Sequence, residues 1–278
     1  MVEPIGSFGK GHRPAGPDRR EIPLVHVADR ELNGKYHVQA PQAHAMQHLV
    51  VLLPVLNEAL GLAWVLDRIP YARLERNGYR TTVLVMDGHS TDTTPEVAAK
   101  YGVMFVDQDD SGKGSAIRHG FRVAVELEAD AVVMLDADGT YVPKEMLRLL
   151  EGLDSHEVVI GDRLNGRIEP GAMTRLNFVG NHLLTWLATA LFGTTTSDVC
   201  SGYWAFSRGA IDQLQLNSQS FEIEAEMFAS LVHQRVAFGF VPITYGPRLG
   251  EAKLGSTADG WRILRKLITR RIFPVPLL

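Results

Sequence analysis

Short runs of apolar residues alternate along the chain with segments in which apolar residues recur every three or four positions. The runs predict buried strands at residues 48–54, 82–86, 103–106, 131–135 and 158–160. The recurrence predicts helices between them, at residues 59–69, 95–101, 115–128 and 143–153. This alternation predicts an α/β fold with a doubly wound, mostly parallel sheet and helices on both faces.

Two carboxylates, Asp136 and Asp138, directly follow the predicted strand 131–135. Open α/β sheets bind ligands outside the carboxyl ends of their strands, and Gly139 lets the backbone bend so that both carboxylates approach one cation. Mg²⁺ and Mn²⁺ take few carboxylates and complete their shell with substrate phosphates. The pattern therefore predicts a metal–diphosphate site. The alternative is a plain polar turn, since Asp and Gly are turn residues.

Other predicted strands and loops also end in polar residues. Asn57 follows the first strand and either caps the next helix or hydrogen-bonds a nucleotide. Asp87 ends the second strand, where its carboxylate is placed to accept from a ribose hydroxyl or a base N–H group. Lys113 lies between two glycines before a helix and can reach a phosphate, although this loop does not match a P-loop.

The second half of the chain is less regular. Residues 178–192 and 221–233 predict helices, and residues 238–244 predict a strand. Residues 198–208 pass from polar to aromatic, which fits either the lining of an acceptor pocket or a β-hairpin with core aromatics. The segment from Trp261 to Ile272 has five basic residues and no acidic one, with an apolar stripe of Trp261, Leu264, Leu267 and Ile268. It fits a helix lying on an anionic membrane surface, or one docked on the core.

Composition narrows the class of protein. The 278 residues are 45% hydrophobic and carry a net charge of −4, so no global attraction to nucleic acid is expected. One cysteine, Cys200, excludes an intramolecular disulfide and fits a reducing compartment. Residues 1–45 begin with a segment rich in Gly, Pro and basic residues, and we expect a flexible N-terminal extension. No signal peptide is recognised, so we expect a cytoplasmic protein with peripheral contact at the inner face of the membrane.

Eight motifs occur in an order that resembles a known family. In chain order they are Pro54-x-x-Asn57-Glu58, Asp87-Gly-x-Ser90-Thr-Asp92-x-Thr94, Gly112-Lys-Gly114, Asp136-x-Asp138-Gly139, Gly161-x-Arg163, Asp198-x-x-Ser201-Gly202, Phe221-Glu-x-Glu224 and Gly250-Glu251-x-Lys253-Leu254. Over residues 48–270 the chain resembles the family 2 glycosyltransferases of GT-A fold. Within that family it is most similar to the polyprenyl-phosphate (dolichyl-phosphate) mannose and glucose synthases.

The resemblance implies an inverting, Mg²⁺- or Mn²⁺-dependent transfer of a hexose from a nucleoside-diphosphate sugar, of GDP-mannose or UDP-glucose type, to a polyprenyl phosphate. It implies metal binding by Asp136 and Asp138, and catalytic roles for these two residues together with Arg163 and Glu224. The donor-binding residues that it implies are Pro54, Asn57, Glu58, Asp87, Asp92, Lys113, Asp136, Arg248 and Lys253. We expect the chain to divide into the extension at 1–45, a catalytic domain at 46–255 and a basic amphipathic helix at 256–278.

Three other functions are alternatives to this one. A soluble transferase of the same fold would act on a polar small molecule, protein or polysaccharide, and would use a carboxylate such as Glu222, Glu224 or Asp198 as general base. A nucleotidyltransferase should carry a basic glycine-rich loop after its first strand, where residues 55–58 read Val-Leu-Asn-Glu. A non-catalytic binder of sugar nucleotides is the third possibility. The sugar, the base of the donor and the oligomeric state are left open.

Overall fold

A computed structural model describes residues 46–250 and 256–275. In this part of the chain one sheet contains seven strands in the order β3-β2-β1-β4-β6-β5-β7. Their bounds are β1 Gln47–Val55, β2 Tyr79–Asp87, β3 Met104–Asp107, β4 Ala131–Met134, β5 Val158–Ile168, β6 Trp204–Ser207 and β7 Phe238–Tyr245. All neighbouring pairs are parallel except those of β6, which runs antiparallel to β4 and β5. The predicted α/β, mostly parallel sheet is confirmed.

Helices flank the sheet and follow the predicted pattern closely in the first half. Their bounds are α1 Ala59–Leu66, α2 Tyr71–Arg76, α3 Thr94–Tyr101, α4 Lys113–Glu126, α5 Met146–Gly152, α6 Arg175–Phe192, α7 Arg208–Gln213, α8 Ile223–Gln234 and α9 Ser256–Ile272. A 3₁₀ turn at Pro143–Glu145 precedes α5, so the single helix predicted for 143–153 is two segments. Helix α1 ends at Leu66, before the predicted 69, and α4 begins at Lys113.

The continuous apolar runs arise because both faces of the sheet are covered. In β1, Val50 and Leu52 pack into one hydrophobic cluster, while Leu49, Val51 and Leu53 pack into the other. Successive side chains of a strand point to opposite faces, so a strand buried on both sides is apolar throughout. Because β1 pairs in parallel with both β2 and β4, the carboxyl ends of these three strands lie at one edge of the sheet.

The segment 198–208 contributes its aromatics to the core. Tyr203, Trp204 and Phe206 are fully buried, as expected of the hairpin alternative, and so they do not form the wall of an acceptor pocket. A hairpin is not formed, however. Residues 204–207 add the single antiparallel strand β6 between β4 and β5, because this position completes the sheet across its interior.

The apolar stripe predicted for helix α9 is partly buried and partly exposed. Leu267 is fully buried in the core, whereas Trp261 and Ile268 are exposed. Helix α9 packs against α6 and α8, and this packing takes Leu267 inward. Among the described helices, none has the length and hydropathy needed to span a membrane.

Candidate active site

Two adjoining cavities open at the carboxyl edge of the sheet. The smaller, of about 300 Å³, lies over the loops that follow β1, β2 and β4, and the larger, of about 450 Å³, extends from it toward α6 and α9. Both are lined by Lys113, Asp136, Phe221 and Arg248. These shared residues mark the place where a molecule in one cavity would meet a molecule in the other.

The Asp136–Asp138 loop is held from several sides. Asp138 is buried, and its Oδ1 accepts hydrogen bonds from the Thr140 backbone N–H (2.9 Å) and hydroxyl (2.6 Å). Glycines on neighbouring elements allow the close packing: a Cβ at Gly61 would overlap the Ala137 carbonyl oxygen, and one at Gly202 would overlap the Asp136 carboxylate. The loop therefore presents its carboxylates from a fixed backbone.

Each of the two aspartates is paired with a cation of the chain. Lys113 Nζ lies 2.6 Å from Asp136 Oδ1 and 2.6 Å from Glu224 Oε1. Arg248 contacts Asp138 Oδ2 through Nη2 (2.5 Å) and Glu58 Oε1 through Nη1 (3.0 Å). Three predicted site residues from distant parts of the sequence, Lys113, Glu224 and Arg248, are thus brought to the predicted metal ligands.

Burial and like charges act on the protonation of this cluster. Burial raises the pKa of Glu224, and the nearby Asp136 charge adds to the rise, while Lys113 opposes both. Burial also raises the pKa of Asp138, aided by Asp136 and opposed by Arg248 and Thr140. Burial alone would lower the pKa of Lys113, but Asp136 and Glu224 outweigh it and hold the pKa above its ordinary value. Lys113 is therefore a permanent cation at neutral pH.

The donor set fits a hard divalent cation of the kind the sequence predicts. Asp136 and Asp138 supply two carboxylates, and Asp136 faces both cavities. No cluster of three or more His, Cys, Asp or Glu residues suited to a metal occurs within residues 46–250 and 256–275. Two carboxylates suffice for Mg²⁺ or Mn²⁺ when a diphosphate completes the shell. A metal held by Asp136 and Asp138 would therefore need phosphate oxygens to complete its shell, because the described residues offer no closed protein cage.

Predicted donor-binding residues divide into two groups. Pro54, Glu58, Lys113, Asp136 and Arg248 line the smaller cavity. Asn57, Asp87 and Asp92 are not among the described residues that line either cavity. Lys253 belongs to residues 251–255, which lie outside the described part of the chain, as does the predicted extension 1–45.

The second group joins the loops that follow β1 and β2. Asn57 Oδ1 accepts from the backbone N–H of Thr91 (2.7 Å), and Asp92 Oδ2 accepts from that of Ala59 (3.3 Å). Asp87 accepts from the backbone N–H (2.7 Å) and the hydroxyl (2.5 Å) of Ser90. These hydrogen bonds give the three residues a role in shaping the rim of the smaller cavity.

Arg163 lies in the larger cavity with its charge already balanced. It is buried, and its Nε and Nη2 donate to the two carboxylate oxygens of Asp198 at 2.7 and 2.8 Å. The guanidinium lies over the Tyr245 ring, 5.3 Å from the ring centroid. The sequence indicated Arg163 but not its partner. Asp198, considered there as a general base, is fully buried and acts as the counter-ion of Arg163.

Apolar side chains form the outer wall of the larger cavity, a feature that the sequence analysis missed. Helix α6 contributes Leu176, Leu183, Leu184 and Leu187, and α9 contributes Trp261, Ile263 and Leu264. Helix α6 also exposes large apolar side chains, among them Leu183 (54% exposed) and Trp186 (63% exposed). We call Leu176, Val179, Leu183 and Trp186 of α6, with Trp261 and Ile268 of α9, the apolar face. The signal available in the sequence was the apolar content of residues 178–192.

The fold is one that is seen among solved structures. Crystal structures of glucosyl-3-phosphoglycerate synthase from Mycobacterium tuberculosis are similar to this chain with a TM-score of 0.64 and 22% identity, over 83% of this chain and 81% of theirs. The fold is therefore the GT-A glycosyltransferase fold. The model of the family "Glycosyl transferase family 2" matches residues 50–215, and the chain belongs to this family.

Curated relatives share more of the sequence. The low-salt glycan biosynthesis hexosyltransferase Agl6 of Haloferax volcanii is 37% identical over 79% of this chain, and the match spans 53% of that protein. The glycosyltransferase AglJ of the same organism is also 37% identical, and the match spans 71% of it. A dolichyl-phosphate hexose transferase of H. volcanii is 30% identical over 81% of this chain and 94% of its own length.

Proposed function

We propose that this glycosyltransferase moves a hexose from a nucleoside-diphosphate sugar to a polyprenyl phosphate at a membrane surface. One observation carries the proposal: the larger cavity has a charged floor, with Lys113, Asp136 and Arg163, and apolar walls from α6 and α9. A lipid phosphate has the same two parts, an anionic head and an apolar chain. The apolar face continues outward from this cavity and would extend the contact into lipid.

The names of several relatives support this acceptor. They include the dolichyl-phosphate hexose transferase of H. volcanii, the undecaprenyl-phosphate mannosyltransferase of Micrococcus luteus and the polyprenol monophosphomannose synthase of Mycolicibacterium smegmatis. The latter two are 27% and 25% identical to this chain. The acceptor class is thus common to relatives of different organisms.

The smaller cavity is the proposed donor site. Pro54 and Glu58 would border the nucleotide. Asp87 and Asp92 would support the rim of the smaller cavity. Asp136 and Asp138 would hold Mg²⁺ or Mn²⁺ on the diphosphate, and a related-fold structure is a complex with Mn²⁺ and UDP. When bound, the ion would neutralise charge on the departing nucleoside diphosphate.

The residues at the junction of the cavities would act by charge and position. A phosphate acceptor is anionic at neutral pH, so it attacks without a strong general base but must be brought beside an anionic donor. Lys113 and Arg248 lie where the two would meet and would lower this repulsion. Glu224 would orient Lys113, and Lys253 would engage a phosphate. The Arg163–Asp198 pair would hold the wall of the larger cavity in place. In-line attack would invert the anomeric centre.

Basic side chains surround the apolar face and suit an anionic bilayer. Arg262, Arg265 and Arg271 of α9 are exposed, as is Arg175 at the start of α6. Each basic residue near such a surface contributes about 1 kcal/mol of attraction, which salt weakens. This face would bring the mouth of the larger cavity to the level at which a lipid phosphate lies.

The test combines product analysis with a matched pair of variants. The protein is incubated with UDP- and GDP-sugars, Mn²⁺ and polyprenyl phosphate in anionic vesicles, and the lipid fraction is analysed by mass spectrometry. We expect a polyprenyl phosphate that carries one added hexose. Leu183→Glu on the apolar face should reduce vesicle binding and transfer, whereas Leu60→Glu, at a 73% exposed position of α1, should not.

Three results would contradict the proposal in different ways. If Leu183→Glu and Leu60→Glu bind vesicles and transfer hexose equally well, the apolar face has no part in delivering the acceptor. Hexose transfer only to a water-soluble phosphate or hydroxyl would favour the soluble transferase. Formation of a sugar nucleotide from a nucleoside triphosphate would indicate a nucleotidyltransferase.

A further inference from the structure

A buried ionic cluster joins α8 and α9 outside both cavities. Glu226 of α8 is fully buried, and its Oε1 lies 3.4 Å from Lys266 Nζ and 3.9 Å from Arg270 Nε, both on α9. Its Oε2 accepts hydrogen bonds from the backbone N–H groups of Asn217 (2.9 Å) and Ser218 (2.7 Å). None of these five residues is among the described residues that line a cavity, so substrates in the cavities would not touch them.

The segment that Glu226 holds is also the support of the Lys113 loop. The Gln219 carbonyl accepts from the backbone N–H groups of Gly114 (3.0 Å) and Ser115 (3.3 Å). A Cβ at Gly112 would overlap the Gln219 carbonyl oxygen, and Gly112 has a φ of +96° that disfavours other residues. The glycines of this loop therefore serve a close backbone-to-backbone contact with residues 218–219.

This contact changes the interpretation of the glycine loop. Its N–H groups at Gly114 and Ser115 point to Gln219 rather than to a phosphate. Ser111 and Gly112 line the smaller cavity, and Lys113 is the residue of this loop that lines both cavities. The position of Lys113 Nζ beside Asp136 then depends on where residues 217–219 lie. Helix α8 makes both contacts: Glu224 forms an ion pair with Lys113, and Glu226 accepts a hydrogen bond from the backbone of the supporting segment at Ser218.

We propose that Glu226, held by Lys266 and Arg270, is a positioning residue for Lys113 and links the C-terminal helix to the donor site. The inference deepens the proposed function, on which it rests, because α9 also forms a wall of the acceptor cavity. A shift of α9 would reach Lys113 through Glu226 and residues 217–219. Glu226 needs both carboxylate oxygens as acceptors, and a glutamine would turn an N–H group toward a donor.

The test is a double-mutant cycle on nucleotide binding, which does not require transfer. Calorimetry with UDP and with GDP, each with Mn²⁺, is performed on wild type, Glu226→Gln, Lys113→Met and the double variant. We expect Glu226→Gln to weaken binding of the preferred nucleotide about fivefold or more. In the Lys113→Met background the same substitution should change binding by less than about twofold, because its effect passes through Lys113.

Glu145→Gln is the matched control. The Glu145 carboxylate also accepts a backbone N–H, from Thr244 at 2.8 Å, but its hydrogen-bond partners do not touch Lys113. Any effect of Glu145→Gln on nucleotide binding should be the same with and without Lys113→Met. If Glu226→Gln fails to fold, Lys266→Met takes its place in the cycle, since it removes one of the two cations that hold Glu226.

The outcomes separate the positioning role from the proposed function. Equal effects of Glu226→Gln in both backgrounds, or no effect on binding in either, would overturn the positioning role. Nucleotide binding without any hexosyl lipid product would overturn the proposed acceptor. The double-mutant cycle would still test the positioning role, because it measures nucleotide binding alone. A wild type that binds neither nucleotide would overturn both.

Discussion

Replacing Arg163 by methionine tests whether its guanidinium is a structural cation or a solvated one. The substitution keeps most of the aliphatic volume but removes the two hydrogen bonds to Asp198, at 2.7 and 2.8 Å. Asp198 is fully buried, so its carboxylate would stay buried without a counter-ion and keep only the hydrogen bond from the residue 163 backbone N–H (3.0 Å). The contact of Arg163 with the Tyr245 ring would be lost as well.

The expected cost follows from this geometry. Breaking a buried ion pair by removing one partner costs about 3–5 kcal/mol, because the other charge is left uncompensated. Arg163→Met should lower the free energy of unfolding by about this amount. The double variant Arg163→Met/Asp198→Asn should be more stable than Arg163→Met alone, since it removes the stranded charge.

Urea denaturation followed by tryptophan fluorescence measures these differences. The exposed pair Arg208–Asp212, at 3.1 Å on helix α7, provides the control, and Arg208→Met should cost less than about 1 kcal/mol. A loss below about 1 kcal/mol for Arg163→Met, or a double variant no more stable than the single one, would refute a buried pair. Arg163 would then be free to bind an acceptor phosphate.

Two further predictions concern Asp138 and Cys200. Asp138→Asn should abolish transfer while the folded protein persists, as checked by lipid product analysis and circular dichroism; full activity would remove Asp138 from the metal site. Burial raises the pKa of the Cys200 thiol to about 12, so at pH 8 only about one molecule in ten thousand carries the reactive thiolate. Iodoacetamide should therefore modify Cys200 far more slowly in the native protein than in urea. Equal rates in the two conditions would contradict the raised pKa of the Cys200 thiol.

Local patterns predicted six of the seven described strands and the position of the candidate site, but not β6, α2 or α7. The run Ala131–Leu135 predicted a strand because a sheet covered on both faces requires apolar residues throughout. The carboxylates after it had to lie at the edge of the sheet where strands end, and the structure places Asp136 and Asp138 there. The family resemblance rests on motifs of this local kind, and the family is confirmed.

Roles that depend on partners were not predictable in this way. Asn57 and Asp92 were predicted to bind the donor, which stays a prediction; their hydrogen bonds between the loops after β1 and β2 were not foreseen. A side chain's hydrogen-bonding capacity is visible in its residue type, but its partner is set by neighbours far along the chain. The same holds for Asp198, which the sequence offered as a base and the structure pairs with Arg163.

The sequence by itself determined strands β1 to β5 and β7, the family and the loop that carries Asp136 and Asp138, because these follow from short-range periodicity and spacing. Only the tertiary structure decided that Lys113 meets Glu224, that Arg248 meets Glu58, and that α6 gives the larger cavity an apolar wall. It also divided the stripe of α9, burying Leu267 and exposing Trp261. Hydrophobic periodicity shows that a helix has an apolar side, whereas packing of distant segments determines which part of that side is covered.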